Sequence, residues 1–194
     1  MTGTLLFIAW RFNRINKDGS VTTLALHVDD ILALAGKDIH IDKFIAEMKA
    51  EFTEITIKRG KRITYLGMDF TFGPDGIGMI VEETIAEMCE EWPATESYEG
   101  SPAADNLFET GDSPLLDAAA KQRFHRLAAQ LLYVTQRHRP ESAVVASYLT
   151  QRVTAPNELD QFKAQKVMNH IHCTRNQGIF FPKEGKMQLT CYID

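Results

Sequence analysis

Two adjacent aspartates, Asp29 and Asp30, are the residues of this sequence best suited to chemistry. Apolar runs lie on both sides of the pair, Leu24–Val28 before it and Ile31–Ala35 after it. A turn between two strands would hold both carboxylates within reach of one cation. Carboxylate and phosphate oxygens are the ligands that Mg²⁺ prefers, and phosphoryl transfer commonly uses a pair of such ions. Because an Asp-Asp pair also occurs in many ordinary turns, the elements around it decide what it means.

Antiparallel hairpins and one amphipathic helix are predicted around the aspartate pair. Asn16–Gly19 and Gly73–Gly76 have the composition of turns. The predicted strand pairs are Leu5–Ile15 with Ser20–Val28, Ser20–Val28 with Ile31–Ala35, and Ile63–Phe72 with Ile77–Val81. Asp38 is a suitable helix N-cap, and apolar residues follow it at helical spacing as far as Phe52. The aspartate pair is therefore expected at the exposed tip of the second hairpin.

Helices dominate the rest of the predicted fold. Glu83–Trp92 predicts a short acidic helix, and Pro93–Gly111 predicts a loop rich in Gly, Ser, Pro and Asp. Longer helices are predicted to begin at Ser113-Pro114, at Pro140, and at Pro156 or Asn157. Two apolar segments, Gly178–Phe181 and Met187–Ile193, are predicted to be strands. Hairpins followed by helices indicate an α+β protein.

The charge is distributed unevenly along the chain. The net charge is -5, yet Glu82–Ala120 contains 11 acids and no Lys or Arg, and Lys121–Arg175 contains 9 Lys or Arg against 3 acids. A basic half of this kind suits a phosphate backbone. The residues expected to contact such a backbone are Arg123, Arg126, Arg137, Arg139, Arg152, Lys163 and Lys166. A solvated helical surface beside an acidic linker explains the same pattern without any partner.

The composition is that of an ordinary globular protein. Of the 194 residues, 44% are hydrophobic and 24% are charged, which argues against a disordered chain. No apolar run approaches the ~20 residues of a membrane helix. No basic residue precedes the short apolar stretch within Met1–Trp10, so a secretory signal is not expected. The three cysteines are too few for a disulfide framework. We therefore expect an intracellular, cytoplasmic protein without membrane contact.

The aspartate pair belongs to a series of segments that resembles one known family. His27–Asp30 is similar to the Tyr-x-Asp-Asp box of reverse transcriptases, and its surroundings are similar to the copia-type branch of LTR retrotransposons. Further segments resemble family motifs in the family's order: Tyr65–Phe70, Phe124–Tyr133, Arg139–Ala143, Ala164–Thr174 and Tyr192–Asp194. The order of these segments is more informative than any one of them.

The resemblance implies an architecture, the C-terminal part of a right-hand polymerase. Residues 1–82 would form the second half of the palm, a partial palm of antiparallel hairpins with one amphipathic helix. Residues 83–175 would form a helical lobe that resembles the thumb and connection. Residues 176–194 would form the first strands of a truncated RNase H domain.

The resemblance also implies an activity, RNA-directed DNA polymerase, with Mg²⁺ as the cofactor and an RNA or DNA template–primer and dNTP as partners. Asp29 would bridge two Mg²⁺ ions, Asp30 would be more peripheral, and Asp194 would be the first RNase H carboxylate. His27 would lie near the primer terminus. The residues that would hold the primer strand are Leu66, Gly67 and Met68.

Some residues depart from the family pattern. Reverse transcriptases need a third carboxylate for the two-metal site, and the only acid before Asp29 is Asp18, in a predicted turn. His27 replaces the Tyr of the box, and Ala129 and Gln165 stand where the family has Gly and Lys. We therefore expect a fragment of the polymerase that is inactive alone, from a truncated reading frame, a decayed copy, or a frame in which Met1 is an internal methionine.

Two alternatives stay open at this point. The chain could be a non-catalytic retroelement remnant that at most binds nucleic acid non-specifically. It could also be an unrelated metal-dependent phosphotransferase, although such an enzyme has no reason to contain the motifs after Ala120. The basic segment Lys58–Arg62 is either a solvated turn or a contact to the nucleic-acid backbone.

Other reactive side chains favour structural roles. His170 and His172 stand two positions apart on a predicted helix and would face apart, so a metal shared with Cys173 is not expected. Cys89 and His125 have no partner nearby in the sequence for a catalytic dyad.

Overall fold

The chain forms an α+β structure with two antiparallel sheets. The computed structural model describes residues 10–98 and 100–183. Two compact units, Met1–Gly60 and Lys61–Asp194, divide the chain. Within the described residues, no helix is both long enough and apolar enough to cross a membrane.

The first unit is a three-stranded antiparallel sheet with one helix. Its elements are β1 (Trp10–Ile15), β2 (Val21–His27), β3 (Asp30–Ala35) and α1 (Asp38–Glu51), and the strand order is β1-β2-β3. The predicted turn Asn16–Gly19 joins β1 to β2, and the Asn16 amide donates to the Ser20 carbonyl at 2.8 Å. Both hairpins predicted for this region are confirmed by the strand pairing. The confirmation begins at Trp10, because the earlier part of the first predicted strand, Leu5–Ala9, lies outside the described residues.

The first unit contains little buried surface. Cross-strand partners share a face of a sheet, which places Phe12, Leu24 and Ala33 together. The apolar residues of α1 are at most half-buried. In residues 10–60, Thr22 is the only fully buried side chain. Arg14 on β1 forms a salt bridge with Glu47 of α1 at 2.6 Å.

The second unit contains a four-stranded antiparallel sheet. Its strands are β4 (Arg62–Tyr65), β5 (Met68–Phe72), β6 (Gly76–Ile80) and β7 (Ile179–Pro182), in that spatial order. The segment Ile63–Phe72 was predicted to be one strand, but the chain reverses within it. Leu66 and Gly67 both have positive φ, 51° and 73°, which is the backbone of a two-residue hairpin turn.

Five helical segments complete the second unit. They are α2 (Glu82–Glu91), α3 (Ala118–Thr135), a 3₁₀ turn (Pro140–Ser142), α4 (Ala143–Arg152) and α5 (Glu158–Cys173). The start predicted for α3 at Ser113-Pro114 is wrong, because Asp117 is its N-cap and accepts from the Ala120 amide at 2.8 Å. The predicted start at Pro156 or Asn157 is confirmed for α5, where Asn157 forms a capping box with Asp160.

One hydrophobic core joins the helices of the second unit. The largest apolar side chains that are almost fully enclosed in it are Phe124, Met88, Leu127, Leu131, Leu149, Met168 and Ile171. Val81, directly after β6, and Met68, at the start of β5, pack against the same cluster. The strands β4–β6 therefore group with the helices, so the compact units divide after residue 60 and not at the 82/83 boundary predicted from the sequence.

The strand β7 also belongs to this sheet. It pairs with β6, with Phe181 opposite Ile77. The sequence assigned this strand to a following RNase H domain. The second strand predicted there, Met187–Ile193, lies outside the described residues, as does Asp194.

Candidate functional site

The aspartate pair lies at the tip of the β2–β3 hairpin. Strand β2 ends at His27 and β3 begins at Asp30, which is its cross-strand partner, so Val28 and Asp29 form a two-residue loop. Leu24 and Leu26 precede the tip, and Leu32 and Leu34 follow it, as the sequence predicted. Asp30 is therefore held in the β2–β3 ladder, while Asp29 lies in the loop beside it.

The backbone at this tip is strained. Val28 has φ of 54°, a left-handed conformation that is rare for a β-branched residue. Tight turns of this kind normally place Gly or Asn there. Such strain costs of order 1–3 kcal/mol and is concentrated at functional sites. A turn that only connected two strands would not need a strained valine, so the positive φ of Val28 favours a functional role for this tip.

Both carboxylates of the pair are open to solvent. Val28 between the strands is 83% exposed, and Asp29 and Asp30 are exposed as well. Neither carboxylate forms a hydrogen bond or ion pair within residues 10–98 and 100–183, so their oxygens are available to a cation. Hard oxygen donors on a rigid turn fit Mg²⁺, which usually binds one or two protein carboxylates and keeps several waters.

Asp18, the acid nearest before the pair in the sequence, lies at the opposite end of β2. Its carboxylate accepts from Lys37 at 2.6 Å and from the Ser20 hydroxyl at 2.6 Å, and His40 lies 3.2 Å away. The hydrogen bond from Lys37 is the main reason that the pKa of Asp18 lies well below its usual range. This carboxylate ties the β1–β2 turn to α1. In the described ranges no group of three His, Cys, Asp or Glu side chains could hold a metal ion.

The segment predicted to hold a primer forms the β4–β5 turn of the second unit. Leu66 and Gly67 are the two loop residues, and half-buried Met68 packs on the helical core. The Tyr133 hydroxyl of α3 donates to the Leu66 carbonyl at 3.4 Å. A Cβ on Gly67 would lie 2.4 Å from that hydroxyl oxygen. The structure thus brings together two segments, Tyr65–Phe70 and Phe124–Tyr133, that the sequence singled out separately.

Two of the basic residues predicted to contact nucleic acid are buried. The Arg139 guanidinium is 1% exposed and donates to the Thr174 carbonyl at 2.8 Å and to Glu141 at 2.5 Å. The Lys163 ammonium is fully enclosed and donates to the Glu109 carbonyl at 2.6 Å and to the Tyr148 hydroxyl at 2.9 Å. A phosphate cannot reach either group in this fold. Both cations donate to backbone carbonyls instead. Counting charges along the sequence cannot reveal this, because it does not show where each cation lies in the fold.

The other five basic residues have different surroundings. Arg126 forms a salt bridge with Glu91 at 3.2 Å, Arg152 with Asp160 at 3.1 Å, and Lys166 with Glu96 at 3.6 Å. The Arg137 guanidinium stacks 3.5 Å from the centre of the Tyr133 ring, and Arg123 is exposed on α3. The seven residues therefore do not form one continuous basic face.

The histidines and the cysteine near the end of α5 make separate contacts. His170 Nδ1 lies 2.7 Å from the Gly100 carbonyl, and His172 Nε2 lies 2.9 Å from the Trp92 carbonyl. The Cys173 sulfur accepts from the Tyr98 amide at 3.2 Å. All three side chains hold the backbone of one loop, and they do not converge on a common point.

One buried histidine was not predicted from the sequence. His138 is 2% exposed, and neither ring nitrogen has a hydrogen-bond partner in the described chain. Burial is the main cause that lowers the pKa of His138 to about 4, with Arg139 adding to the shift and Glu141 opposing it. Its polar neighbours in the sequence, Arg137 and Arg139, gave no signal that this segment is interior.

Comparison with known proteins identifies no relative. No protein-family model matches the chain, and no curated protein or solved structure shows significant similarity to it. The geometry of the chain's own residues is therefore the basis for a functional proposal.

Proposed function

We propose that the chain is part of a copia-type RNA-directed DNA polymerase, containing the second half of the palm and a thumb-like helical lobe. The observation that carries the proposal is the pair of exposed carboxylates, Asp29 and Asp30, on a strained two-residue turn between antiparallel strands. The contact between the segments of Leu66 and Tyr133 supports it, because both belong to the ordered series of motifs.

In the proposed reaction, template-directed nucleotidyl transfer, Asp29 and Asp30 would hold Mg²⁺. The bound ion would stabilise the negative charge that develops on the transferred phosphoryl group. The β2–β3 hairpin places the two aspartates next to each other, Asp29 in the two-residue loop and Asp30 at the first position of β3. His27 lies next to the pair on β2, where its ring could contact the primer terminus.

The chain alone is not expected to extend a primer. The two carboxylates of the tip lack a third ligand among the described residues, and in-line displacement with two ions needs one. Purified protein with Mg²⁺, dNTP and a primer–template should therefore give no extension product. Extension that is lost in Asp29→Asn would show that another residue supplies the missing ligand.

Cation binding tests the tip directly. Mn²⁺, which replaces Mg²⁺ at carboxylate sites, should broaden the amide signals of the β2–β3 turn in NMR spectra at submillimolar concentration. The broadening should disappear in Asp29→Asn/Asp30→Asn. It should persist in Asp38→Asn/Asp42→Asn, which removes two exposed carboxylates of α1 in the same unit. Equal broadening of the two aspartate pairs in the wild-type protein would contradict a specific site.

A second candidate is non-catalytic association with nucleic acid through the helical lobe. Arg123 and Arg126 favour it, because both are exposed and stand three positions apart on α3. Each phosphate contact contributes roughly -0.9 to the slope of log affinity against log salt concentration on duplex DNA. With three contacts, the slope should be about -2.7. A slope indistinguishable from zero would exclude this binding.

A further inference from the structure

Some acids of the chain's acid-rich part lie beside polar and basic side chains of α3 and α5 in the second unit. We call Glu82–Asp117 the acidic segment, since it contains all 11 acids of the region without Lys or Arg. Its first part is α2, where Glu91 forms a salt bridge with Arg126 of α3 at 3.2 Å. One turn earlier, Glu87 accepts from the Gln130 side chain at 3.4 Å. Two acids of α2 thus point at the face of α3 that presents Arg126.

The loop after α2 is fixed along α5 by its backbone. Five side chains of α5 contact main-chain atoms of this loop: Gln165 to the Pro93 carbonyl at 2.9 Å, Asn169 to the Thr95 amide at 3.0 Å, Cys173 to the Tyr98 amide at 3.2 Å, His170 to the Gly100 carbonyl at 2.7 Å, and His172 to the Trp92 carbonyl at 2.9 Å. These contacts use main-chain atoms of the loop, so they do not depend on the identity of the loop's side chains. The contacts that the loop's own side chains make therefore need an explanation other than holding the loop in place.

The loop presents its side chains to Lys166. Glu96 lies 3.6 Å from the Lys166 ammonium, and the same ammonium lies 3.8 Å from the centre of the Tyr98 ring. As a result Lys166, a lysine of the basic half, is only 23% exposed. A carboxylate and an aromatic ring occupy the positions from which a phosphate and a base would approach this cation.

We propose that Glu91 and Glu96 of the acidic segment are an autoinhibitory cover over two cations that a polyanion could otherwise contact, Arg126 of α3 and Lys166 of α5. Glu91 and Glu96 act as internal substitutes for phosphate on Arg126 and Lys166, so a nucleic acid must displace them before it contacts these cations. The proposal rests on the second candidate function, association with nucleic acid. It gives a role to the two ion pairs that join the acidic segment to the basic part of the sequence.

The strength of the cover follows from the exposure of its ion pairs. Each pair has one exposed partner, Arg126 at 59% and Glu96 at 57%, while Glu91 and Lys166 are 21% and 23% exposed. A pair that reaches solvent in this way changes an equilibrium by about fivefold. A strong polyanion can therefore displace the cover. High salt weakens the two ion pairs by screening, so the cover has its largest effect at low salt. Its effect is a reduction of affinity at low and moderate salt and not a complete block.

Neutralising the two covering acids tests the proposal. Glu91→Gln/Glu96→Gln should elute from heparin at higher salt than the wild-type protein. It should also bind a primer–template duplex roughly three- to twentyfold more tightly at low salt. Because two more cations become available, its slope of log affinity against log salt should be more negative by about 1.8. Arg126→Gln/Lys166→Gln in the same background should abolish these gains.

The matched control is Glu83→Gln/Glu90→Gln, which changes the net charge equally at two exposed acids of α2. Its heparin elution and duplex affinity should change much less. Equal gains in both double variants would overturn the cover and indicate net charge alone. A heparin shift confined to Glu91→Gln/Glu96→Gln, without duplex binding at any salt, would support the cover and reject the nucleic-acid function. Thermal melting by circular dichroism confirms that each variant is folded.

Discussion

At the scale of single residues, the strained Val28 is the most informative position of the aspartate hairpin. Its φ of 54° places a β-branched side chain in a region that suits Gly or Asn. The side chain is 83% exposed, so packing does not compensate for the strain. A residue that costs stability and makes no buried contact is explained most simply by what the turn must present, the two carboxylates beside it.

Val28→Gly should stabilise the first unit by about 1 kcal/mol. Relief of strain contributes about 1–3 kcal/mol, and the greater flexibility of glycine in the unfolded chain removes about 0.5–1 kcal/mol. Hydrogen exchange of the β2 and β3 amides measures the change. Val21→Gly is the matched control, because this valine is exposed on the adjoining strand β2 without a positive φ, and the substitution should destabilise. Destabilisation by both substitutions would argue against strain at the tip.

The second informative residue is His138, whose buried ring has no hydrogen-bond partner in the described chain. Its pKa is lowered to about 4 in the fold, mainly by burial. The unfolded chain therefore binds a proton more readily than the folded chain, and stability falls as the pH drops from about 6.5 to about 4. The charged groups that face this ring are Arg139, which strengthens the effect, and Glu141, which weakens it.

His138→Leu should remove this pH dependence. A pKa lowered from 6.5 to about 4 corresponds to about 3 kcal/mol, so the variant should gain up to about that amount over the wild-type protein between pH 7 and pH 4. Urea unfolding followed by helical circular dichroism at several pH values measures the difference. His125→Leu serves as the comparison, since this histidine is exposed on α3. A constant difference between wild type and His138→Leu at all pH values would contradict the buried neutral ring.

At the scale of elements, the β4–β5 turn depends on one glycine and one tyrosine. Gly67 has φ of 73°, and a Cβ there would lie 2.4 Å from the Tyr133 hydroxyl oxygen but 3.7 Å from the adjacent ring carbon. The positive φ therefore disfavours a side chain at this position, and the close approach of α3 leaves no room for one. This turn connects the sheet of the second unit to its helical core.

Gly67→Ala should destabilise the second unit by about 1–3 kcal/mol, from the positive φ together with the steric overlap. Adding Tyr133→Phe should recover the steric part, because only the hydroxyl oxygen is too close, and leave the backbone part in place. Tyr133→Phe alone should have a small effect, since its hydrogen bond is long at 3.4 Å. Urea unfolding of the four proteins measures the coupling. Additive losses in the double variant would show that the hydroxyl does not limit this position.

Sequence patterns predicted a helix or strand well where residues close to one another in the sequence determine it. The aspartate hairpin and α5 follow from apolar runs, turn residues and the Asn157 cap, which lie within a few positions of one another. The helical spacing after Asp38 predicted α1, but the predicted cap is wrong, because Lys37 is the N-cap and its side chain makes no capping bond. The predicted start of α3 failed because distant residues compete for the same backbone. The Leu116 amide donates to the Pro156 carbonyl at 2.9 Å, and the Glu158 amide donates to the Pro114 carbonyl at 3.0 Å. These long-range bonds hold the segment extended until Asp117 caps the helix.

The candidate site likewise combines features that local sequence determines with features that depend on distant residues. The tip of the β2–β3 hairpin was located from its flanking apolar runs, whereas the burial of Arg139 and Lys163 was not predicted. Both cations satisfy carbonyls that are 35 and 54 positions away in the sequence. Charge counting registers a cation but not its partner, so it overestimates the basic surface available to a phosphate.

At the scale of the whole molecule, the two compact units differ in how much they bury. The second unit encloses a continuous core from α2 to α5. The first unit has Thr22 as its only fully buried side chain in residues 10–60. Since buried apolar surface is the main stabilising term and local opening is easiest where it is scarce, the first unit should open at a lower free energy than the second.

Limited trypsin digestion should therefore cut first near the boundary of the units and then within the first unit. Residues 54–59 have no regular secondary structure, and Lys58, Arg59 and Lys61 are exposed. The early product should be a C-terminal fragment that begins at or just after Gly60 and keeps its helical circular dichroism. A variant with Gln at Lys58, Arg59, Lys61 and Arg62 should shift the first cuts to Lys43 and Lys49 of α1. Early cuts at Lys121 or Arg123 of α3 would show instead that the helical core is the weaker unit.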